Sequence, residues 1–157
     1  DKHNYLMKKI TLILIVFIVC TSCGYNPMYS NKNFNFNITK IEKFKEDKLN
    51  LVFEKMINNF SNHQAINQIS LETNAEKQII VISKDAQGNP LRYQMIVKLE
   101  LVIIDDQKNK KIKKNIVQQF RYSNNSNRSK LNQYEKEIEE ILINKIIDET
   151  IKHISQF

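Results

Sequence analysis

The residue with the clearest chemistry in this sequence is the cysteine at position 23. Two lysines, Lys8 and Lys9, precede an apolar block from Ile10 to Val19, and small residues then lead to Cys23 and a glycine. A basic segment, an apolar segment and small residues before a cut site are, in this order, the parts of a secretory signal peptide. Because a thiol stands at the cut site, we expect cleavage before Cys23 and lipidation of that residue with N-palmitoyl and S-diacylglycerol groups.

Three other interpretations of this stretch stay open at the level of sequence. A retained membrane span needs roughly 20 apolar residues, and this block offers about half of that length. A cleaved signal without lipid is compatible with Cys20, which occupies a position where lipoprotein signals prefer leucine. Lipidation of Cys20 itself fits less well, because the bulky Val19 precedes it.

We predict a signal peptide over residues 1–22 with Met7 as its start, a lipidated tether over residues 23–33, and one domain over residues 34–157. Removing the signal leaves 135 residues, enough for a single core. Both cysteines fall within the first 23 positions, so the domain has to rely on packing without a disulfide. The net charge of +7 for the whole sequence permits contact with anionic surfaces but does not require nucleic acid.

Groups suited to catalysis or metal binding are scarce after position 23. His63 and His153 have no partner at metal-ligand spacing. The sequence contains neither a glycine-rich phosphate loop nor a nucleophile elbow. The acidic cluster between Glu135 and Glu140 fits the solvated face of a helix. We therefore expect a protein that is not an enzyme, binds no metal and no cofactor, and acts by binding other molecules.

The first half of the domain predicts a strand, a helix and a second strand. Phe34, Phe36 and Ile38 alternate with asparagines, which indicates a half-buried strand. Apolar residues from Leu49 to Phe60 recur at helical spacing. Alternation returns between Ile66 and Lys84. Residues 74–78 in that stretch predict either a turn or a bulge, and the preserved parity favours one long, bent strand.

The second half of the domain predicts two more strands and a long helix. Asp85 to Pro90 is a turn signal, and the alternating run from Leu91 to Ile103 indicates a long strand. A charged loop and a further strand ending at Tyr122 follow. From Lys130 to the end, apolar residues keep helical spacing, widened by isoleucines that pack on the sheet or meet a partner, namely Ile143, Ile147 and Ile151.

The resulting order, β-α-β-β-β-α, predicts an α+β fold. We expect a two-layer sandwich in which both amphipathic helices cover one face of a four-stranded, mostly antiparallel sheet. The opposite face is too apolar to be simply solvated, so we expect it to contact another protein or a lipid. Its residues on the third strand are Arg92, Gln94, Ile96, Lys98, Val102 and Ile104.

Several segments resemble the LptE family of lipopolysaccharide-assembly lipoproteins, in its shorter, alphaproteobacterial form. The run Cys23-Gly24-Tyr25-Asn26-Pro27 is similar to the family's mature start. The strand that opens with Leu91-Arg92-Tyr93-Gln94-Met95 and the strand end Phe120-Arg121-Tyr122 are also similar. The resemblance covers residues 23–157 and is carried by the order and spacing of the segments. Cys20 and the asparagine-, lysine- and isoleucine-rich composition depart from the family pattern.

The resemblance implies a protein of the outer membrane that faces the periplasm and plugs the lumen of the LptD β-barrel. It implies that the protein assists assembly of that barrel and binds lipopolysaccharide during transport to the cell surface, with Lys84, Arg92 and Arg121 as candidate contacts. It implies membrane attachment through the lipid anchor and no nucleic-acid partner. The alternatives are a free-standing periplasmic lipoprotein that binds a small or lipidic ligand, and a structural lipoprotein without a ligand.

Overall fold

The computed structural model describes residues 34–105 and 107–157. Their elements follow the predicted order β-α-β-β-β-α: β1 (Phe36–Lys43), α1 (Lys48–Asn58), β2 (Asn67–Lys84), β3 (Pro90–Asp105), β4 (Lys110–Ser123) and α2 (Arg128–Ser155). Within this part of the chain, neither helix has the length and apolarity needed to cross a membrane. The predicted signal peptide, the tether and the lipidation of Cys23 lie outside the described residues.

The four strands form one sheet in the order β1-β2-β3-β4. β1 pairs with β2 in parallel, whereas β2 with β3 and β3 with β4 pair antiparallel through short turns. The parallel pair requires a crossover, which α1 provides. The mostly antiparallel α+β sheet predicted from the sequence is therefore confirmed.

Helix α1 begins where Asp47 caps it and covers the β1–β2 side of the sheet. One carboxylate oxygen of Asp47 accepts a hydrogen bond from the backbone N–H of Asn50 at 2.9 Å. Such a cap satisfies one of the free N–H groups of the first turn. Phe53 and Ile57 lie one turn apart on the inner side of α1 and are fully buried. These two members of the apolar stripe predicted for this helix are therefore part of the core, and its other members are partly exposed.

Helix α2 runs along β3 and β4 and is capped by Asn127, whose side chain accepts a hydrogen bond from the N–H of Lys130 at 3.1 Å. The three isoleucines that widen its apolar face are all buried. The side of α2 that packs on the sheet is therefore the side that carries those isoleucines. Tyr134 and Ile141, which also follow the helical spacing of apolar residues, are 43% and 49% exposed.

Strand β2 is continuous through residues 74–78. Its residues pair one to one with β3 from Ser70 to Val81, without a turn or a bulge in that interval. The register shifts lie farther along, between Val81 and Lys84. The prediction of one long strand is confirmed, and the irregularity lies at its end because the strand there enters the turn to β3.

The sheet face opposite the helices is less open than the sequence predicts. Val102 is only 8% exposed although no helix of the described residues covers it. Glu72 on β2 and Lys113 on β4 are its register neighbours. On this face, an ion pair of 3.0 Å joins Lys111 on β4 to Glu72 on β2 and passes over β3. Long charged side chains can cover apolar surface in this way with their aliphatic stems.

Candidate functional site

The strands β2, β3 and β4 extend past the start of α1 and form a projection, called the tip here, made of residues 77–84, 90–94 and 119–124. Its β2 segment carries four consecutive aliphatic residues, Ile79 to Ile82, each 38–42% exposed. Leu91 on β3 is 50% exposed. Successive strand residues point to opposite faces, so each face of the tip carries exposed aliphatic side chains, and exposed apolar surface of this kind marks sites that bind ligands or partners.

The turn that closes the tip is built around Asp85. Its carboxylate accepts hydrogen bonds from the backbone N–H groups of Gln87 and Asn89 and from the Asn89 side chain, at 2.7–3.0 Å. The side-chain hydrogen bond from Asn89 is the largest cause of a lowered pKa at Asp85. Gly88 has a φ of 86°, a conformation that favours glycine. The turn is therefore specified locally by the sequence.

All three basic residues predicted from the sequence lie at the tip. Lys84 ends β2, paired with Pro90. Arg92 pairs with Ser123, and Arg121 pairs with Gln94, two residues farther along β3. Because Arg92 and Gln94 are two residues apart in one strand, Arg92 and Arg121 share the face that points away from the helices. Sequence reasoning thus selected two arginines that the fold brings to one surface.

Arg121 is the first residue of a hydrogen-bonded chain of three side chains, with Gln94 and Gln119. Its Nε donates to Oε1 of Gln94 at 3.0 Å, and Nε2 of Gln94 donates to Oε1 of Gln119 at 2.8 Å. Gln94 is 8% exposed, so this chain of side chains is anchored in the sheet. Ile80 lies in register with Gln94 on the same face. A fixed cation and an aliphatic side chain therefore share one row of the sheet.

Arg92 lines a shallow, open depression of about 620 Å³ at the end of the tip. Ile82 and Leu91 contribute apolar walls, and Ser123 and Asn124 contribute polar ones. The backbone N–H of Asn124 donates to the carbonyl of Leu91 at 2.8 Å, which fixes the end of β4 against the start of β3. The depression combines one cation with apolar surface and suits an amphiphilic ligand.

The β3–β4 part of the tip is fastened to α2 by aromatic residues. Tyr122 stacks on Tyr93 with ring centroids 5.5 Å apart and meets Tyr134 edge-on at 6.1 Å. The hydroxyl of Tyr122 donates to a carboxylate oxygen of Glu135 at 2.7 Å. Burial, followed by this hydrogen bond, raises the pKa of Tyr122 well above its usual value.

A second, larger concavity of about 1070 Å³ opens between the start of α1, the middle of β2 and the first half of α2. Its floor includes Ala75, Ile79 and Met95, and its α1 wall includes Leu49 and Val52. Lysines and carboxylates from all three elements form the rim, with Lys77 and Glu139 joined by an ion pair of 2.7 Å. This groove is open to solvent at its rim and apolar at its base.

Asn50 is a structural residue that the sequence interpretation did not single out. It is fully buried, and its side chain forms a pair of hydrogen bonds with the backbone of Ala75. Oδ1 accepts from the N–H at 2.7 Å and Nδ2 donates to the carbonyl at 3.2 Å. The amide thereby takes the place of a neighbouring strand. Its burial could have been predicted from its spacing, because Asn50, Phe53 and Ile57 lie on the same side of the helix.

Among the residues that the structure describes, no group of histidine, cysteine, aspartate and glutamate side chains is arranged to hold a metal ion.

The fold is similar to that of several solved bacterial proteins. The rare lipoprotein B of Shewanella oneidensis matches with a TM-score of 0.54 at 16% identity, over 74% of this chain and 94% of that one. A minor lipoprotein of Acinetobacter baumannii matches with a TM-score of 0.54 at 12% identity, over 78% and 94% of the two chains. Lipoprotein B of Nitrosomonas europaea matches with a TM-score of 0.52 at 10% identity, over 78% and 83%. The similarity is one of fold.

No protein-family model and no curated protein matches the sequence. Identities of 10–16% mean that few side chains are shared with the solved structures. A common fold does not by itself establish a common function, so the site residues have to be argued from this chain alone.

Proposed function

We propose that this protein is an outer-membrane lipoprotein of the LptE type. In this proposal Cys23 carries the lipid, and the domain faces the periplasm within the lumen of an LptD barrel. It helps that barrel to assemble and binds lipopolysaccharide during transport to the cell surface, and its role is not catalytic. The ordered sequence resemblance and the fold of the lipoproteins to which the chain is similar support the proposal.

The observation that carries the proposal is the amphiphilic tip. Lipopolysaccharide presents phosphates and acyl chains side by side. Arg92 and Arg121 lie on one face of the tip, and Ile80 shares the row of Arg121. Arginine binds phosphate oxygens through paired N–H groups, and exposed aliphatic side chains favour contact with acyl chains. The tip offers both kinds of contact within a few residues.

Binding of purified lipopolysaccharide tests the ligand. We expect the double variant Arg92→Gln, Arg121→Gln to bind roughly ten-fold or more weakly, because charge-assisted contacts to phosphate are lost. Lys98→Gln is the matched control, since it removes one charge from the same sheet face nearer the helix-covered end. Equal binding by the wild type and the double variant, or equal weakening by the control, would contradict the assignment of the tip.

Co-purification tests the partner. We expect the protein to be recovered with an LptD-type barrel in equal amounts after gentle detergent extraction, and to resist protease within that complex. Recovery of the monomer without a barrel would refute the plug.

For the lipid anchor, we expect a Cys23→Ala variant to lose the mass of the lipid and its association with the membrane. Unchanged membrane association would refute lipid anchoring.

The groove favours the second candidate, a free-standing periplasmic lipoprotein that binds a small or lipidic ligand. Its volume of about 1070 Å³ could hold such a ligand against Met95 and Val52. Val52→Lys would place a charge on the groove wall. If a fluorescent fatty acid binds the wild type and the tip double variant but not Val52→Lys, the groove is the ligand site.

A further inference from the structure

The end of the sheet opposite the tip, called the base here, is made of residues 34–37, 66–70 and 107–114. β1 pairs with the start of β2, and Ile104 on β3 pairs with both Ser70 on β2 and Lys111 on β4. The three segments therefore lie at the same end of the sheet.

The base is rich in lysine. Positions 107–114 contain five lysines and no acidic residue, and with the preceding Asp105 and Asp106 the segment still has a net charge of +3. Lys108 lies 3.1 Å from Asp105, and Lys111 lies 3.0 Å from Glu72. The other lysines of the segment are exposed and form no ion pair with a described residue, namely Lys110, Lys113 and Lys114.

These lysines surround the start of β4 and do not line a single face. Successive strand residues point to opposite faces, so Lys110 and Lys114 point to the helix side, and Lys111 and Lys113 point to the other side. The ammonium of Lys110 accordingly lies 4.8 Å from the ring centre of Phe157, at the end of the chain beyond α2. A ligand on one face would meet only part of this charge. A surface that approaches the base end-on meets lysines from both faces, and a membrane is such a surface.

The chain leading from Cys23 joins the domain at the base. The carbonyl of Phe34 accepts a hydrogen bond of 3.0 Å from the side chain of Asn62, two residues before the start of β1. Cys23, the proposed lipid carrier, is eleven positions before Phe34, and that length of chain spans at most about 40 Å. A lipid on Cys23 therefore keeps the base at a high effective concentration near the membrane surface.

We propose that the base contacts anionic phospholipid headgroups of the membrane that holds the lipid of Cys23. Each lysine near an anionic membrane surface strengthens binding roughly five-fold. Ile66, immediately before β2, is 84% exposed and adds an apolar side chain that can enter the headgroup layer. The contact rests on the proposed lipidation, concerns the lipoprotein without a barrel, and goes beyond the proposed function.

Tryptophan fluorescence tests the contact, because the sequence contains no tryptophan. Ile66→Trp places the single fluorophore at the base, and Leu91→Trp, at a 50% exposed position of the tip, is the matched control. The full lipoprotein is incorporated into vesicles of phosphatidylcholine, with or without phosphatidylglycerol, that carry a quencher on a lipid headgroup. We expect phosphatidylglycerol to increase the quenching of Ile66→Trp roughly two-fold or more, and high salt to reverse the increase. Equal quenching in both kinds of vesicle, or an equal increase for Leu91→Trp, would overturn the proposal.

A matched pair of double variants tests the lysines. In the Ile66→Trp protein, Lys113→Gln with Lys114→Gln should abolish the increase that phosphatidylglycerol causes. Lys98→Gln with Lys130→Gln removes the same charge from exposed positions outside the base and should keep the increase. Equal loss in both double variants would refute the base as the contact, because net charge alone would then explain the attraction.

Intact mass, measured on the same samples, separates this proposal from the lipid anchor. A lipidated protein whose quenching does not respond to phosphatidylglycerol would refute the contact and leave the anchor standing. A protein without the lipid would refute the anchor, and the proposal would fall with it.

Discussion

The two halves of β2 belong to one unbroken strand but have different surroundings. Ile69, Leu71 and Ala75 in the first half are at most 3% exposed. Ile79 and Val81 continue on the same face in the second half and are each 42% exposed. Apolar residues alternate with polar ones in the first half, whereas the second half carries four consecutive aliphatic residues, so the more apolar half is the more exposed one and residue type does not explain the change.

The difference follows from where the neighbouring elements end. α1 and β1 cover the face and the edge of the first half, and Asn50 completes that cover at Ala75. Beyond this point no described element pairs with the outer edge of β2. On the helix side of the sheet, the apolar residues of a strand are buried where a second layer covers them. The first half of β2 therefore contributes to the stability of the fold, and the second half is available for binding.

The largest loss of stability is expected from a substitution in the core beneath α1. Phe53→Ala should lower the free energy of unfolding by about 3–5 kcal/mol, because a fully buried ring is lost and a cavity is left. Ile79→Ala in the exposed half should lower it by less than about 1 kcal/mol. Urea unfolding measures both values. Similar losses would mean that the two halves of β2 do not differ in their contribution to stability.

A smaller loss is expected at the boundary between the halves. Asn50→Leu leaves the N–H and C=O of Ala75 without their partners and should cost about 2–3 kcal/mol. The Ala75 amide should also exchange faster with solvent, because the open edge of β2 becomes longer. Asn58→Leu, at an exposed asparagine of the same helix, is the control. If the Ala75 amide keeps its protection in Asn50→Leu, Asn50 does not cover the edge.

Tyr122 anchors the β4 side of the tip to α2. Tyr122→Phe removes the hydrogen bond to Glu135 and should cost about 1–2 kcal/mol. The pKa of Tyr122 is raised above the usual value of 10.0, chiefly by burial. Its contribution to stability is therefore complete below about pH 10 and declines as the pH rises further.

Unfolding measured across alkaline pH checks this sign. The wild type should lose stability above about pH 10 more steeply than Tyr122→Phe. Tyr134→Phe, at a half-exposed ring of the same aromatic group, should keep the wild-type profile. Identical profiles for the wild type and Tyr122→Phe would contradict the buried hydrogen bond.

The smallest effect is expected at the cap of α1. The hydrogen bond from the backbone of Asn50, followed by one from its side chain, lowers the pKa of Asp47 below the usual value of 3.8. This carboxylate therefore stabilises the fold above about pH 3.8 and loses its contribution as the pH falls through the lowered pKa.

Asp47→Asn should keep the cap at neutral pH, because asparagine also caps helices, and should reduce the acid sensitivity of unfolding. Acid titration followed by circular dichroism measures this difference. Glu46→Gln changes the preceding exposed carboxylate and should leave the acid transition unchanged. An Asp47→Asn transition identical to that of the wild type would show that the cap carboxylate has no role in acid unfolding.

The sequence predicted the order of elements and much of the local geometry, because these depend on residue spacing and turn chemistry. Helical spacing located α1 and α2, strict alternation located β3, and Asp85 with Gly88 specified the turn at the tip. Arg92 and Arg121 were chosen as candidate contacts in the light of the family resemblance, and antiparallel register then placed them on one face. Their role as ligand contacts stays a prediction.

By itself the sequence determined which residues form strands and helices, since periodicity and capping act over a few neighbouring residues. Only the tertiary structure decided which apolar residues are buried, because burial depends on where a second element lies. Leu71 and Val81 illustrate the point, since one is 1% exposed and the other 42% within the same strand. The start of α1, fixed by Asp47 and Asn50, marks where the cover over β2 stops and accounts for that difference.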